Sequence, residues 1–222
     1  MDEESFYLNS WEPKTELGKA VKSGEIKSLE QIFHLGKRIE ELEIIDALMP
    51  GIKNEIIEIS SVQRMTKNNR KQKFRAVAIV GDGNGHLGVG AGKNVEVKAA
   101  IDSAVTNAKK NMIPIIFGCG SWQCLCGTKH SLPVTAKGKA GSIEVILKPA
   151  PKGLGIVANK HIKKFLELGG LKDIWSFSRG RTRSRYNTLL ATFRALDSVN
   201  KMKNITAFDK EEHVHTATEA EA

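Results

Sequence analysis

Two stretches of alternating apolar and polar residues stand out in the first half of the chain. Residues 55–66 and 74–80 each alternate with a period of about two, which is typical of β-strands with one buried face. The polar segment Lys67–Lys73 separates them and contains no apolar side chain. We therefore predict an antiparallel hairpin whose two strands are joined by a polar loop over residues 67–73.

A glycine-rich turn and a helix complete the first predicted domain. Residues 81–85 are of types that accept positive φ, so they predict a tight turn into a short third strand over residues 86–90. Asn94 is the predicted N-cap of a helix. The helix presents a stripe of small apolar residues: Val97, Ala100, Ile101, Ala104, Val105 and Ala108. Residues 54–117 are thus predicted to form three antiparallel strands followed by a helix that lies close against them.

A second pattern of strands and helices covers residues 133–208. Strands are predicted at Ser142–Leu147 and Ile174–Ser178, with a loop at Pro149–Gly155 after the first. A helix between them ends at the glycine pair 169–170, and a final helix carries one apolar face. Residues 118–132, which contain all three cysteines, are predicted to link the two domains. The fold class is therefore α+β.

The two ends of the chain differ from this core. Residues 1–53 are predicted to be an N-terminal extension with short helices, in which residues 1–24 are extended because they lack periodicity. Ser28 is the predicted N-cap of a helix that stops at Gly36. Residues 209–222 contain too little apolar surface for a core, so we predict a disordered acidic tail.

Charge is distributed unevenly along the chain. The net charge is +9 over 222 residues, but residues 1–58 carry −6, residues 59–208 carry +19 and residues 209–222 carry −4. A basic core of this size predicts a polyanion as partner, because each phosphate neutralised by lysine or arginine releases condensed counterions. The alternative interpretation is a solvated basic surface without a partner.

The sequence also indicates a compartment. No apolar run approaches the roughly 18 residues of a membrane span, and the acidic N-terminus does not have the order of a signal peptide. The three cysteines are an odd number crowded between residues 119 and 126, which does not suit a disulfide framework. We expect a cytoplasmic protein.

Two clusters of cations are the predicted RNA-binding segments. The first lies on the hairpin and comprises Arg64, Lys67, Arg70, Lys71, Lys73 and Arg75. The second precedes the last helix and comprises Arg179, Arg181, Arg183 and Arg185. Arginine binds phosphate in a bidentate manner, which favours contact with a nucleic-acid backbone. The alternatives are a solubilising strand edge for the hairpin and a charged loop without a partner for the arginines.

Glycine-rich segments suggest nucleotide-binding motifs, but the details do not match. Gly83–Gly88 fits a dinucleotide-binding pattern, yet a strand rather than a helix is predicted to follow it. Pro149–Gly155 resembles the phosphate loop of small-molecule kinases of the galactose, homoserine and mevalonate type. Those enzymes need serines after the loop, whereas this chain has Ile156 and Val157. We expect no enzymatic activity.

A candidate metal site lies in the linker between the predicted domains. Cys119, Cys124, Cys126 and His130 are four residues of types that bind zinc, within twelve residues of sequence. The interval between Cys124 and Cys126 is shorter than in common zinc sites. The alternative is a loop of reduced thiols that packs through Trp122. Both interpretations are left open by the sequence.

Several segments together resemble one protein family. They are Val62–Thr66, Val80–Lys93, Lys109–Ile113, Lys148–Gly153 and Leu168–Asp173. These segments resemble the "S-five" family of small-subunit ribosomal proteins, in its archaeal and eukaryotic branch. The cysteines favour an archaeal source. Lys93 and Lys152 lie within the matching segments and join the predicted RNA-binding residues.

The resemblance implies a fold and a role. It implies an N-terminal domain like a double-stranded-RNA-binding fold and a C-terminal domain of the split β-α-β kind. It further implies binding to small-subunit ribosomal RNA at the body–head junction, contact with the "S-four" protein, a position near the path by which messenger RNA enters, and support of translational accuracy. The alternatives are a free double-stranded-RNA-binding regulator and a small-molecule kinase that shares the C-terminal fold.

Overall fold

The computed structural model describes residues 11–124, 126 and 128–202. The chain divides into two compact units. Of the described residues, those up to 114 together with 168–170 form the first unit, and those over 115–167 and from 171 onward form the second. The combination of helices with two largely antiparallel sheets confirms the predicted α+β class. The expected tail over residues 209–222 lies outside the described residues, and the predicted domain boundaries stay a prediction. Among the described residues, no helix combines the length and apolarity needed to cross a bilayer.

Three short helices begin the described part of the first unit: α1 (Glu16–Lys22), α2 (Leu29–Leu35) and α3 (Glu43–Leu48). Helix α2 follows Ser28 and ends at Gly36, which adopts φ 64°, in agreement with the prediction. The expected extended backbone over residues 1–24 is wrong from Glu16 onward, where α1 begins, and residues 1–10 lie outside the described residues. Thr15 is the N-cap of α1, and its side chain accepts a hydrogen bond from Gly18 N–H. Glu41 Oε1 accepts a hydrogen bond from Thr15 N–H at 2.6 Å. Because Glu41 lies 26 residues away, local periodicity does not show this contact.

Apolar side chains from this region form a hydrophobic cluster. Ile32, Ile44 and Ile45 are fully buried in it, together with Leu17 and Met112. Met112 comes from a later part of the chain, so the cluster joins the N-terminal helices to the rest of the first unit. Residues 11–52 are therefore packed and do not form a free arm.

The first unit is built around a four-stranded antiparallel sheet in the order β1-β2-β3-β4. The strands are β1 (Lys53–Met65), β2 (Arg70–Gly81), β3 (His86–Asn94) and β4 (Met112–Pro114), and helix α4 (Val97–Lys110) follows β3. Three of these strands were predicted, and the short β4 was not. The predicted helix cap is wrong: Asn94 ends β3, and the N-cap of α4 is Glu96, which makes no side-chain hydrogen bond.

Glycines on β3 bring helix α4 close to the sheet. A Cβ added to Gly90 would lie 2.2 Å from both Ala104 O and Ala108 N. Gly88 and Gly92 on the same face meet α4 backbone atoms at 2.3 Å in the same way. Alternate glycines on the strand thus face the alanines of the helix, as the alanine-rich stripe predicted. This close packing leaves no room for side chains between helix and strand.

The second unit contains a mixed four-stranded sheet in the order β5-β6-β8-β7. Its elements are β5 (Ala136–Ala140), β6 (Ile143–Pro149), β7 (Ile156–Val157), α5 (Lys160–Leu168), β8 (Ile174–Arg179) and α6 (Arg185–Asn200). Strands β7 and β8 are parallel, and the other pairs are antiparallel. The sequence predicted β6, α5, β8 and α6 but missed β5 and β7.

One face of this second sheet is covered and the other carries polar residues. Ala136, Gly138 and Ala140 of β5 are buried, and Lys137 and Lys139 between them are exposed. Helix α6 packs on the covered face, where a Cβ added to Gly138 would lie 2.1 Å from Ala191 O. Close packing of a strand glycine against a helix that carries alanines therefore occurs in both units. The opposite face of the sheet is left accessible.

Candidate nucleic-acid interface and metal centre

The predicted hairpin extends farther than the alternation of the sequence indicated. Pairing continues from Val62↔Lys73 to Met65↔Arg70, so the connecting loop contains only residues 66–69. The predicted loop over residues 67–73 is thus too long, because Arg70–Lys73 belong to β2. Backbone pairing needs no apolar face, so the strands continue where the alternation stops. Thr66 N–H donates to Asn69 O at 2.9 Å and closes the loop.

The end of this hairpin is a two-stranded ribbon. Strand β3 pairs with β2 only as far as Phe74↔Asn94, so no third strand from the described part of the chain pairs with residues 62–73. We call this segment the β-ribbon. All of its side chains are exposed except Val62, which is half-buried. A two-stranded ribbon by itself is only marginally stable in water, and this one is continuous with the four-stranded sheet.

The strand register sorts the cations of the hairpin by face. Arg64 pairs with Lys71, and Lys73 and Arg75 follow Lys71 at intervals of two residues along β2. Arg75 in turn pairs with Lys93 on β3. Since directly paired residues and residues two apart point to one side of a sheet, these five cations lie on the same face. Four of them are exposed, and Arg75 is half-buried.

The other predicted hairpin cations lie elsewhere. Arg70 pairs with Met65 and points to the opposite face, on which α4 packs against Ala76 and Ala78 farther along the sheet. Lys67 lies in the loop at the tip, and both cations are exposed. The β-ribbon therefore presents a basic face, a basic tip and one arginine on its reverse side.

The arginine segment follows the last strand of the second unit. Arg179 ends β8, Arg181 and Arg183 lie in the connecting loop, and Arg185 is the first residue of α6. All four side chains are exposed. Thr188 Oγ1 donates to the carbonyls of Thr182 and Ser184, so the base of the loop is held to the helix.

The loop that carries Lys152 is held by a buried acid. Lys152 itself is exposed, but Asp173 Oδ1 accepts hydrogen bonds from the N–H groups of Gly153 at 3.1 Å and Gly155 at 2.8 Å. A kinase phosphate loop must offer such N–H groups to its substrate. In this chain both already have a carboxylate partner, which argues against the kinase alternative.

The four candidate metal ligands come together in the second unit. The Sγ atoms of Cys119 and Cys126 are 3.5 Å apart, and Cys124 Sγ lies 3.7 Å from His130 Nε2. All four ligand atoms lie within 4.8 Å of one another. Ligand atoms of a tetrahedral zinc site are separated by roughly 3.4–3.8 Å, given bond lengths of about 2.0–2.3 Å. The cluster is therefore of a size and composition that can hold a metal ion.

Backbone pairing at the base of the cysteine loop positions these ligands. Gly118 and Ser131 exchange two hydrogen bonds of 2.9 Å, and Gly120 N–H donates to Leu132 O at 3.0 Å. A Cβ at Gly120 would lie 1.9 Å from Pro133 O, so the two strands of the loop are in close contact. The suggestion that the loop packs through Trp122 is wrong, because that side chain is 87% exposed.

The thiols have unequal acidities. Burial, together with the neighbouring Cys126, raises the pKa of the Cys119 thiol to about 11. A hydrogen bond donated by Thr128 Oγ1, 3.3 Å from Cys126 Sγ, lowers the pKa of the Cys126 thiol to about 5. One thiolate is thus already favoured near neutral pH, and a bound cation would favour the others electrostatically.

Asp173 also approaches the histidine of this cluster. His130 is 5% exposed, and its Nδ1 lies 2.9 Å from Asp173 Oδ2. The distance suits a hydrogen bond, although the angle does not, so we describe the pair as a close electrostatic contact. Carboxylates commonly orient metal-binding histidines in this way, through the ring nitrogen opposite the metal.

Sequence reasoning did not single out Asp173 as a site residue. The sequence feature that could have identified it is the scarcity of acids, since residues 59–208 contain only seven. An acid retained in so basic a segment is a candidate for a specific partner. The structure shows that this side chain is 4% exposed and contacts both the Lys152 loop and the metal cluster.

Comparison with known proteins agrees with the architecture of both units. The family model for the N-terminal domain of ribosomal protein S5 matches residues 52–116, and the model for its C-terminal domain matches residues 138–208. The small ribosomal subunit protein uS5 of Aeropyrum pernix is 50% identical over 189 residues, which are 85% of this chain and 87% of that protein. The uS5 of Methanoregula boonei is 49% identical over 193 residues, covering 87% and 94% of the two chains. That of Methanocaldococcus jannaschii is 47% identical over 195 residues, covering 88% and 90%.

These relatives are ribosomal proteins from archaea, and they confirm the resemblance drawn from the sequence. The two family models together match more than half of the residues, in the order in which the two folded units occur. The chain therefore belongs to the ribosomal protein S5 family.

Proposed function

We propose that this chain is a structural, non-enzymatic constituent of the small ribosomal subunit in the cytoplasm, and that it binds ribosomal RNA chiefly through its β-ribbon. The observation that carries this proposal is the alignment of Arg64, Lys71, Lys73, Arg75 and Lys93 on one sheet face. The names of the relatives support the ribosomal part of the proposal.

The shape of the β-ribbon suits a polyanion. On its basic face, Lys71 and Lys73 lie in a line along β2 that Arg75 continues, and Arg64 lies opposite Lys71 on β1. Consecutive phosphates of a nucleic-acid strand also form a line of charges. Lysine and arginine that neutralise phosphates provide affinity and fix orientation without reading bases.

The further RNA contacts in this proposal are the remaining predicted cations. They are Lys67, Arg70 and Lys152, together with the arginine segment Arg179, Arg181, Arg183 and Arg185. The proposal also includes a position at the body–head junction near the messenger path, contact with the "S-four" protein and an influence on accuracy. These details are supported by the family resemblance.

Sedimentation tests the ribosomal part of the proposal. Native lysate is separated on sucrose gradients in moderate and in high salt, and the fractions are probed for this chain. We expect the chain to travel with small subunits under both conditions. Migration as free protein in both gradients would contradict the proposal.

Salt-dependent RNA binding tests the role of the β-ribbon. A variant with Arg64→Gln, Lys71→Gln and Lys73→Gln is compared with a control that loses three exposed lysines elsewhere in the first unit: Lys53→Gln, Lys98→Gln and Lys110→Gln. Affinity for a labelled RNA duplex is measured over a range of salt. Removing three phosphate contacts lowers the slope of log K against log salt by about two to three. An equal change in both variants would show that only net charge matters and would refute the assignment.

We also propose that the metal bound by the cysteine–histidine cluster is zinc. Three thiols and one imidazole are a ligand set of structural zinc sites, and the hydrogen-bonded loop base brings them together. Bound zinc would cross-link the cysteine loop and stabilise the fold around it.

Metal analysis tests this second proposal. Protein purified without chelators is expected to contain one zinc per chain, whereas Cys124→Ser is expected to contain much less. Ser121→Ala, in the same loop, is the control and should retain the metal. Wild-type protein that cannot be loaded with stoichiometric zinc would contradict the proposal.

A further inference from the structure

The accessible face of the second sheet carries an exposed aromatic ring among cations. Phe177 on β8 is 51% exposed, although a phenylalanine side chain is usually buried. Trp175, two residues earlier on the same face, is half-buried. Neither residue lies on the covered face, where Ile174 and Leu147 are fully buried.

The register places basic residues around this ring. Ile146 pairs with both Lys137 and Phe177, so Lys137 lies two strands from Phe177 in the same row. The next row contains Lys139, Glu144 and Arg179. Residues in register on neighbouring strands point to one side of the sheet. The face thus carries three exposed cations close to the ring and a single acid between two of them.

A fourth cation already contacts the ring. The Nζ atom of Lys148 lies over Phe177, 5.1 Å from the ring centroid. Lys148 pairs with Trp175, so it belongs to the same face, and its side chain is exposed. The π-face of the ring is therefore accessible to a partner. The ammonium group that now lies over it belongs to the flexible side chain of Lys148.

The geometry points to a binding surface for unpaired nucleotides, in which a base stacks on Phe177 and the surrounding cations contact the phosphates on either side. The charge of the face supports this occupant, because one acid, Glu144, stands against four cations: Lys137, Lys139, Lys148 and Arg179. A nucleic-acid strand offers negative charge together with flat apolar rings. The identity of the nucleic acid as RNA rests on the proposed function. The surface itself is separate from the β-ribbon, which belongs to the first unit.

Relative strengths favour the base over the ammonium group. Stacking of one base on an aromatic side chain changes affinity by roughly five- to a hundredfold. An exposed cation–π contact contributes only about two- to fivefold. A base can therefore displace Lys148 from the ring, and the released ammonium group is then within reach of a neighbouring phosphate.

The test compares two probes that differ only in their bases. One is a fluorescently labelled chain of eight adenine ribonucleotides, and the other has the same phosphates and sugars without bases. Binding is measured by anisotropy in the full chain, in a background with Arg64→Gln, Lys71→Gln and Lys73→Gln that weakens the β-ribbon. We expect the adenine probe to bind about five- to a hundredfold more tightly than the abasic probe.

Two substitutions at Phe177 decide the cause of this preference. Phe177→Leu keeps an apolar side chain but removes the π-face, and it should lose most of the preference for the adenine probe. Phe177→Trp should keep the preference. Because Phe177 is half exposed, neither change is expected to unfold the protein, which circular dichroism verifies.

Each opposing result is informative. Equal binding of the two probes by the Phe177-containing chain would overturn the inference. A preference that survives in Phe177→Leu would also overturn it, because the bases would then be bound by other residues and not by the ring of Phe177. Neither result would affect the sedimentation experiment, so failure of this inference is distinguishable from failure of the proposed function.

Discussion

Replacing Gly90 by alanine is the sharpest test of how β3 and α4 pack. The added Cβ would lie 2.2 Å from Ala104 O and 2.2 Å from Ala108 N. Ordinary van der Waals contact begins at 3.4 Å, so the helix or strand must move by about 1.2 Å at this point. Both obstacles are backbone atoms of a 14-residue helix, and no rotamer change can remove them.

The energetic cost follows from this obstruction. Overpacking of a close-packed core costs about 1–3 kcal/mol, and a backbone obstacle places this substitution at the upper end. The loss of glycine flexibility in the unfolded chain offsets about 0.4–1 kcal/mol. We therefore expect Gly90→Ala to lower the free energy of unfolding of the first unit by about 2–2.5 kcal/mol.

Gly51→Ala is the matched control. Gly51 belongs to the first unit as well, where it precedes an apolar segment. A Cβ added there would meet no atom within 4 Å, and the φ of Gly51 is not positive. This substitution should leave stability unchanged or raise it by up to about 1 kcal/mol. The two variants make the same chemical change, so their difference isolates the contact with α4.

Urea unfolding monitored through one tryptophan provides the measurement. Of the three tryptophans, Trp11 packs against the hydrophobic cluster of the first unit, whereas Trp122 is 87% exposed. With Trp122→Phe and Trp175→Phe as background, fluorescence reports on the first unit alone. A midpoint for Gly90→Ala equal to that of Gly51→Ala would refute the close packing.

A second variant keeps the test decisive if Gly90→Ala does not fold. Ala104→Gly in the same chain removes a neighbouring side chain but no backbone atom. It should therefore fail to restore folding, because the obstruction is made by Ala104 O and Ala108 N. Rescue by Ala104→Gly would mean that side chains cause the clash, which contradicts the reasoning.

Three further substitutions probe other contacts. Gly138→Ala should destabilise the second unit by about 2–3 kcal/mol in urea unfolding, because its Cβ would lie 2.1 Å from Ala191 O. Burial alone would raise the pKa of Asp82, but hydrogen bonds from His86 and the N–H of Asn84 lower it below the ordinary 3.8. The stability that this carboxylate adds is present above its unfolded pKa and is lost as pH falls through its folded pKa. Asp82→Asn should thus lower the free energy of unfolding by about 1–2 kcal/mol at pH 7. The gap in stability between this variant and the wild type should narrow below pH 3.8. Asp173→Asn should weaken zinc binding about 10–100-fold in competition with a chelator, because Asp173 approaches His130 Nδ1.

The outcomes that would contradict these expectations are equally specific. An unchanged urea midpoint for Gly138→Ala would show that α6 does not lie close to β5. If the free energies of unfolding of Asp82→Asn and wild type differ by the same amount from pH 7 to pH 2, titration of Asp82 does not contribute to stability. For Asp173→Asn the control is Asp197→Asn, whose side chain on α6 pairs with Lys201, the residue after the helix. Equal zinc affinities in these two variants would rule out a role for Asp173 at the metal.

The sequence by itself determined the elements whose cause is local. Alternation of apolar and polar residues predicted the hairpin, the Ser28 and Gly36 signals bounded α2, and the alanine stripe predicted a helix close to the sheet. The four candidate metal ligands were identified from their spacing, because they lie within twelve residues. In each case the residues that define the feature are neighbours along the chain.

Elements whose stability comes from distant partners were decided only by the tertiary structure. Strand β5 reads Ala-Lys-Gly-Lys-Ala, which has little intrinsic strand preference, yet pairing with β6 and the cover of α6 make it a strand. Helix α1 depends on Glu41, and the short β4 forms because Met112 and Ile113 pair with β3. Propensity and periodicity carry no information about such contacts.

The same division applies to the candidate sites. The sequence showed that the hairpin is basic, but which cations share a face depended on the pairing Arg64↔Lys71 and Arg75↔Lys93. Asp173 reaches His130 and the Lys152 loop only after β8 is placed in the sheet. Likewise, the sequence placed Phe177 on a strand without fixing its face, and the register puts it on the accessible one. A one-residue change in strand register reverses the face of every side chain, so these surfaces are properties of the assembled sheets and not of any local segment.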